Sequence, residues 1–319
     1  MSGCSQAPSK AIAQPTPLYH VQPGTLRAID ERILTASVHA RHESETYARI
    51  VMEEWQWRVR QRTYEVFIPW YSTYWTQQWI ATKVAWYKLM YTEGEATAEE
   101  RLVSYLQKQF YEQVLKPVSS FVDPQTVMED TAVYYLRELK GQLDQLPLEY
   151  HIPVAAFNQH LESIPAIVVK VVPLQEASLY AVLRAADLST LPAYDALLEE
   201  IAAVNDAANP TPSPDRLQIV ANRAVAKLVD SMALRGGATT ASTIVGGFWG
   251  LVITAGSAAY GVLEHEHDKP AMEAQLRENL DAALDLIWQD LVEDQRGGVA
   301  ALMYHMSTQI EDAVSHPLQ

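Results

Sequence analysis

The stretch from Gly236 to Leu263 is the sequence feature that most limits how this chain can fold. Its 28 residues include no charged side chain, and roughly 20 apolar residues suffice to cross the hydrocarbon core of a bilayer. An uncharged segment of this length must be covered, either by other helices or by lipid. In both cases we expect a long, glycine-rich apolar helix.

Small residues recur at four-residue spacing within this segment. Gly246 and Gly250 form one pair, and Ser257 and Gly261 form a second. This spacing lets helix backbones approach closely in a membrane or in a protein core. The threonines and glycines dilute the hydrophobicity, which favours a helix buried by its neighbours. A membrane span or conditional insertion is the alternative. Basic residues before the segment and acidic residues after it would then place its amino-terminal side in the cytoplasm.

Most of the remaining chain has the apolar periodicity of helices, clearest from 23 to 62. The run Ile167 to Val172 resembles a strand but has no clear partner, so we expect an extended connector or a buried helix turn. The fold class predicted is all-α, a multi-helix bundle of about ten helices around the apolar helix at 236–263. The other helices are expected near 70–91, 97–115, 124–146, 174–186, 192–207, 217–234, 270–293 and 299–315.

Composition divides the chain into three parts. Residues 1–22 are rich in Ser, Gln, Ala and Pro, which predicts a flexible amino-terminal tether. An aromatic-rich helical region follows at 23–208. Alternating prolines at 210, 212 and 214 indicate a linker, so a carboxyl-terminal helical region built around the apolar helix is expected at 209–319.

Cys4, the one cysteine of the chain, follows two small residues, Ser2 and Gly3, and precedes the polar tether. This pattern resembles the end of a bacterial lipobox, in which the cysteine becomes the lipidated amino terminus. The basic and apolar regions of a secretory signal are not found in residues 1–3. The resemblance implies lipidation at Cys4, and Ser5 resembles the outer-membrane sorting class because inner-membrane retention usually involves Asp there. The alternative is a cytosolic protein with a free thiol near its amino terminus.

The charge balance constrains the partners. Against 24 Lys and Arg stand 39 Asp and Glu, a formal net charge of -15, which repels phosphate backbones. Nucleic acid is therefore not expected as a partner. We expect a membrane contact through the amino-terminal lipid, and another envelope protein as the binding partner.

Six of the eight tryptophans lie between positions 55 and 86. Tyr71, Trp75, Trp79 and Trp86 are spaced by four and seven residues, which places them on one helical face. Such a stripe is typical of a core or a helix interface. With the interleaved arginines and lysines it is also compatible with an aromatic binding face for a membrane interface or a glycan.

No motif in the sequence predicts catalysis. His265 and His267 lie in a cluster of acidic residues, but histidines two apart on a helix point to different sides. They are weak candidates for a metal site, and a solvated helix end before Pro270 is the expected structure. No phosphate loop, dinucleotide fingerprint or nucleophile elbow is present, and no cofactor is predicted.

The sequence thus predicts a lipid-anchored helical protein of the cell envelope that acts as a binding or scaffolding module, without enzymatic activity. Its expected location is the periplasmic face of the bacterial outer membrane, with the inner membrane as the alternative. A membrane-spanning or membrane-inserting protein that uses residues 236–263 is the second hypothesis. A metal-dependent enzyme near His265 and His267 is the third.

Overall fold

The computed structural model describes residues 21–73, 98–206 and 262–316. Helices account for 79% of these residues, and one small two-stranded sheet accompanies them. The fold is therefore mainly helical. Within the three ranges, seven helices have nine residues or more, not the predicted ten or so. One cause is that the segment 174–186 is part strand; three other predicted helices lie largely outside these ranges.

Helix α1 (Pro23–Arg62) is 40 residues long, and its bounds confirm the prediction from periodicity. Pro23 occupies the first turn, where a missing amide hydrogen costs no hydrogen bond. The helix continues through a π turn, Thr63–Phe67, into α2 (Ile68–Ser72). Pro69 lies in the first turn of α2, and the helical path continues through it. The buried face of α1 has side chains three or four residues apart over most of its length, including Ile29, Ile33, Ala36, Ala40, Ala48, Met52, Trp55 and Val59.

Three further helical segments are described between residues 98 and 143. Helix α3 (Ala98–Phe110) passes through a π turn, Tyr111–Leu115, into α4 (Lys116–Ser119). Helix α5 (Pro124–Leu143) begins as predicted, because the Asp123 carboxylate accepts a hydrogen bond from the Gln125 amide at 3.2 Å.

Two short helices and a β-hairpin follow α5. They are α6 (Leu146–Glu149), α7 (Val154–Glu162), β1 (Pro165–Val169) and β2 (Gln175–Ser178). The strands are antiparallel, with Ile167 opposite Ala177 and Val169 opposite Gln175. The prediction of a connector or helix turn at Ile167 to Val172 was therefore wrong. The partner strand has the sequence QEAS, which lacks the β-branched and aromatic residues that identify strands.

The chain then returns to helices. Helix α8 (Leu179–Arg184) is capped by the Ser178 hydroxyl, which accepts a hydrogen bond from the Ala181 amide at 3.2 Å. A 3-10 turn (Leu188–Thr190) precedes α9 (Pro192–Asp206). The predicted helix at 192–207 is confirmed.

The carboxyl-terminal part contains α10 (Val262–Trp288), a π turn (Gln289–Glu293) and α11 (Ala301–Ser315). The expected helix end before Pro270 was wrong, because α10 runs through this proline. A proline inside a helix removes one backbone hydrogen bond, and here the helix persists on both sides of it.

Helices α5 and α11 both pack against α1 and against each other. Side-chain pairs show that α5 runs antiparallel to α1: Tyr47 stacks on Tyr134, with ring centroids 5.0 Å apart, and the Arg58 guanidinium lies 4.8 Å from the ring centroid of Phe121. One hydrophobic cluster joins buried residues of these three helices with those of the hairpin and α10. The described parts of both predicted helical regions share this core. The boundary at 208–209 lies outside the described residues and stays a prediction.

Within the ranges that the structure describes, no helix is both long and apolar enough to span a bilayer. The predicted central apolar helix at 236–263 lies outside these ranges, except that Val262 and Leu263 form the beginning of α10.

Candidate functional site

Most residues singled out in the sequence lie outside the described ranges. These are Cys4, the small residues Gly246, Gly250, Ser257 and Gly261, and the aromatic residues Trp75, Trp79 and Trp86. Tyr71 is described, and its side chain is fully buried. Its ring packs with Phe67 at a centroid distance of 6.4 Å. At this position the aromatic stripe therefore contributes to the core, and the other three positions stay predictions.

His265 and His267 lie in the first turns of α10, and their side chains are outside the described part of the structure. Among the side chains that are described, no three His, Cys, Asp or Glu residues are grouped so that they could hold a metal ion.

A groove lies between the end of α5, helix α7 and helix α8. Its floor is apolar, because Leu143, Phe157 and Leu161 turn buried side chains toward it. Phe157 and Leu161 are four residues apart, and Val154 precedes Phe157 by three, so all three lie on one face of α7. The cavity volume is about 100 Å³, which is enough for a few carbon atoms.

Polar groups surround this floor. On α8, Tyr180 and Arg184 are four residues apart and share a face, and the Arg184 guanidinium lies 5.7 Å from the Tyr180 ring centroid. Asn158 of α7 also lines the groove. Among the described residues, neither the guanidinium of Arg184 nor the amide of Asn158 has a hydrogen-bond or ion-pair partner. Both side chains line the groove.

Lys140 and Asp144 close the groove on the side of α5, where they form an ion pair one helical turn apart. This pair is internally neutral, so Arg184 supplies the net positive charge of the site. The electrostatics therefore favour an anionic group in the groove, although the chain as a whole is acidic.

The arrangement is typical of a binding site. Among the groove residues, the ones with polar groups are Lys140, Asp144, Asn158, Tyr180 and Arg184, and Lys140 and Asp144 are paired with each other. An apolar floor with a few convergent polar groups is the usual composition of a ligand pocket. Sequence reasoning did not identify these residues, since no local motif connects α5, α7 and α8.

The tip of the hairpin forms a second exposed surface. Val171, Val172 and Leu174 are exposed apolar residues on either side of Pro173, and Val172 is fully exposed. Lys170 beside them is also exposed. Contiguous exposed apolar groups often mark contact surfaces.

A buried polar network crosses the interface of α1, α5 and α11. The Ser37 hydroxyl donates to Glu311 at 2.9 Å and lies 2.7 Å from the Tyr135 hydroxyl, which therefore acts as the donor to Ser37. Arg41 pairs with the same Glu311 at 3.2 Å. Burial, opposed in part by the Ser37 hydrogen bond, holds the pKa of Tyr135 well above its ordinary value. Because every member is partnered and enclosed by helices, the network fixes helix register rather than forming a ligand site.

Comparison with known proteins identifies no relatives. No protein-family model matches this chain, and no significant similarity to a curated protein or a solved structure is found.

Proposed function

We propose that the protein is a lipid-anchored helical protein of the bacterial cell envelope that binds or scaffolds another envelope protein. Cys4 is the attachment point, the following polar residues are the spacer, and the helical body beginning at Pro23 carries the binding surfaces. The observation that carries the proposal is the lipobox-like Ser2-Gly3-Cys4 sequence, placed directly before a tether.

The geometry of the body is compatible with such a role. A tether of about 13 residues, from 5 to 17, has an average end-to-end length of about 20 Å, which would leave the body mobile beside a membrane. The groove and the exposed hairpin tip are two surfaces through which a mobile body can contact a partner. The outer membrane is the proposed location because Ser, not Asp, follows the cysteine.

The test is the intact mass of the amino-terminal peptide from protein made in its native host. We expect an amino-terminal Cys4 that carries acyl chains. The Cys4→Ala variant should leave the membrane fraction, while the matched Ser5→Ala variant should stay in it. A free Cys4 thiol behind intact residues 1–3, together with unchanged fractionation of Cys4→Ala, would refute the proposal.

The proposal that Ser5 directs the protein to the outer membrane has a separate test. Ser5→Asp should move the protein from the outer to the inner membrane without releasing it. Unchanged outer-membrane fractionation of this variant would contradict sorting by Ser5 but would leave the lipid anchor itself in place.

A membrane-spanning protein is the second candidate, favoured by the uncharged residues from 236 to 263. A spanning protein resists alkaline carbonate extraction, and Cys4→Ala does not release it. The two candidates therefore predict opposite results for the same variant.

A further inference from the structure

We infer that the groove between α5, α7 and α8 binds the carboxyl terminus of a partner polypeptide whose last side chain is apolar. The inference deepens the proposed binding role and names the part of the partner that is recognised. It rests on the chemistry of the groove and does not depend on the lipid at Cys4.

The terminal carboxylate is matched by Arg184. A guanidinium presents parallel N–H donors that fit a carboxylate at two points, which gives geometry as well as charge. Arg184 has no carboxylate partner among the described residues, and its one described contact is the stack on Tyr180 at 5.7 Å. This stack holds the guanidinium beside the groove, so little side-chain freedom is lost when a carboxylate binds.

The apolar side chain is matched by the floor. Leu143, Phe157 and Leu161 bound a cavity of about 100 Å³. A leucine or valine side chain has the volume to fill this space. The groove therefore accommodates one apolar amino-acid side chain.

The residues before the terminal one in the peptide would contact the edge of the groove. Val154 lines the groove and is 58% exposed, and Leu148, next to the lining residue Pro147, is 83% exposed. The exposed Val154 side chain forms an apolar rim at the edge of the groove and offers a contact for the residue before the terminal one. The Asn158 amide can donate to a peptide carbonyl and accept from a peptide N–H.

The experiment measures binding of the full-length protein to the peptide acetyl-Gly-Ser-Leu with a free carboxylate by titration calorimetry. The same peptide with a carboxyl-terminal amide is the matched ligand. We expect the amide to bind about three- to fivefold more weakly, because an ion pair with the exposed Arg184 side chain is lost. Equal affinity of the acid and the amide, or no binding of the acid, would overturn the inference.

Arg184→Gln should reduce the affinity for the acid to that for the amide. Arg137→Gln is the matched control, since Arg137 is also an exposed arginine stacked on a tyrosine, 4.8 Å from the Tyr134 ring centroid, but lies outside the groove. A loss of affinity in Arg137→Gln equal to that in Arg184→Gln would show nonspecific charge attraction and overturn the assignment.

N-acetyl-leucine distinguishes the possible sources of the carboxylate. We expect it to bind several-fold more weakly than the tripeptide, because it cannot reach the rim. Equal affinity would identify the occupant as a small free carboxylate and refute a polypeptide terminus. Since calorimetry uses protein in solution, failure here would leave the proposed lipid anchor standing, and failure of the anchor test would leave this result standing.

Discussion

The main part of helix α1 and its carboxyl end are held by different kinds of contact. From Ile29 to Trp55 its buried face packs against α5 and α11, and within that interface Ser37 hydrogen-bonds to Tyr135 and Glu311. Near its carboxyl end, Arg60 pairs with Asp285, the Tyr64 hydroxyl donates to Asp281, and the Ser72 hydroxyl of α2 donates to Glu273 at 2.6 Å. The partner there is α10, and these contacts use three of its carboxylates.

The difference predicts an uneven distribution of stability. Burial of one large apolar side chain contributes about 1.5–3 kcal/mol, whereas an exposed ion pair contributes about 0–1 kcal/mol and is screened by salt. Leu276, Leu280, Leu284 and Ile287 of α10 are buried, so α10 also has an apolar face. Its polar contacts determine where it lies along α1 more than how tightly it is held.

The largest effect is expected for Trp55→Ala. Trp55 is 1% exposed, and removing a buried tryptophan costs about 3–5 kcal/mol in free energy of unfolding. The matched control is Trp57→Ala, two residues away and 56% exposed, which should change stability by about 0.5 kcal/mol or less. Chemical denaturation measures both. Similar losses in the two variants would contradict the contrast between the buried and exposed faces of α1.

A smaller loss is expected for Tyr135→Phe. Removing its hydroxyl deprives Ser37 of a buried donor, which should lower the free energy of unfolding by about 1–2 kcal/mol. Tyr134→Phe is the control, because Tyr134 stacks on Tyr47 and keeps that ring contact as phenylalanine. If both variants are as stable as the parent, the buried network contributes no net stability.

The contact between Tyr64 and Asp281 should appear in the alkaline pH dependence. Burial first, and then the hydrogen bond to Asp281, raise the pKa of Tyr64 from 10.0 to about 12. The folded state therefore holds this proton more tightly than the unfolded chain. The resulting stability is complete below pH 10 and is lost as pH rises toward 12.

Denaturation curves between pH 9 and 12 test this expectation. The free energy of unfolding of Tyr64→Phe should fall less steeply with rising pH than that of the parent protein. Burial and the hydrogen bond to Glu45 also raise the pKa of Tyr304 to about 12. The free energy of unfolding of Tyr64→Phe should therefore still decrease as the pH rises. An unchanged slope in Tyr64→Phe would show that its proton is not linked to folding.

The smallest effect is expected for Arg60→Gln. The side chain of its partner Asp285 is 61% exposed, so the loss should be about 0–1 kcal/mol at low salt and should nearly vanish in 1 M salt. Unfolding at both salt concentrations measures it. A larger loss that persists in 1 M salt would mean that the end of α1 depends on ion pairing as strongly as its middle depends on packing.

Periodicity was enough to predict α1, α5 and α9. The bounds of α1 and α9, and the start of α5 at the Asp123 cap, follow from residues close in sequence. The hairpin was missed because the strand Gln175–Ser178 has no local signal of its own, and α10 runs through Pro270 against the usual effect of a proline. The groove was missed for a related reason, since its residues come from three separate helices.

The sequence by itself determined that this chain forms long amphipathic helices, because turn residues and the 3.6-residue repeat act over short distances. Only the tertiary structure decided that Trp55 is buried while Trp57 is exposed, that a short polar segment pairs with Pro165–Val169, and that Arg184 lies beside an apolar cavity. Each of these depends on residues far apart in the chain. Burial and charge pairing are properties of such contacts, which no local pattern specifies.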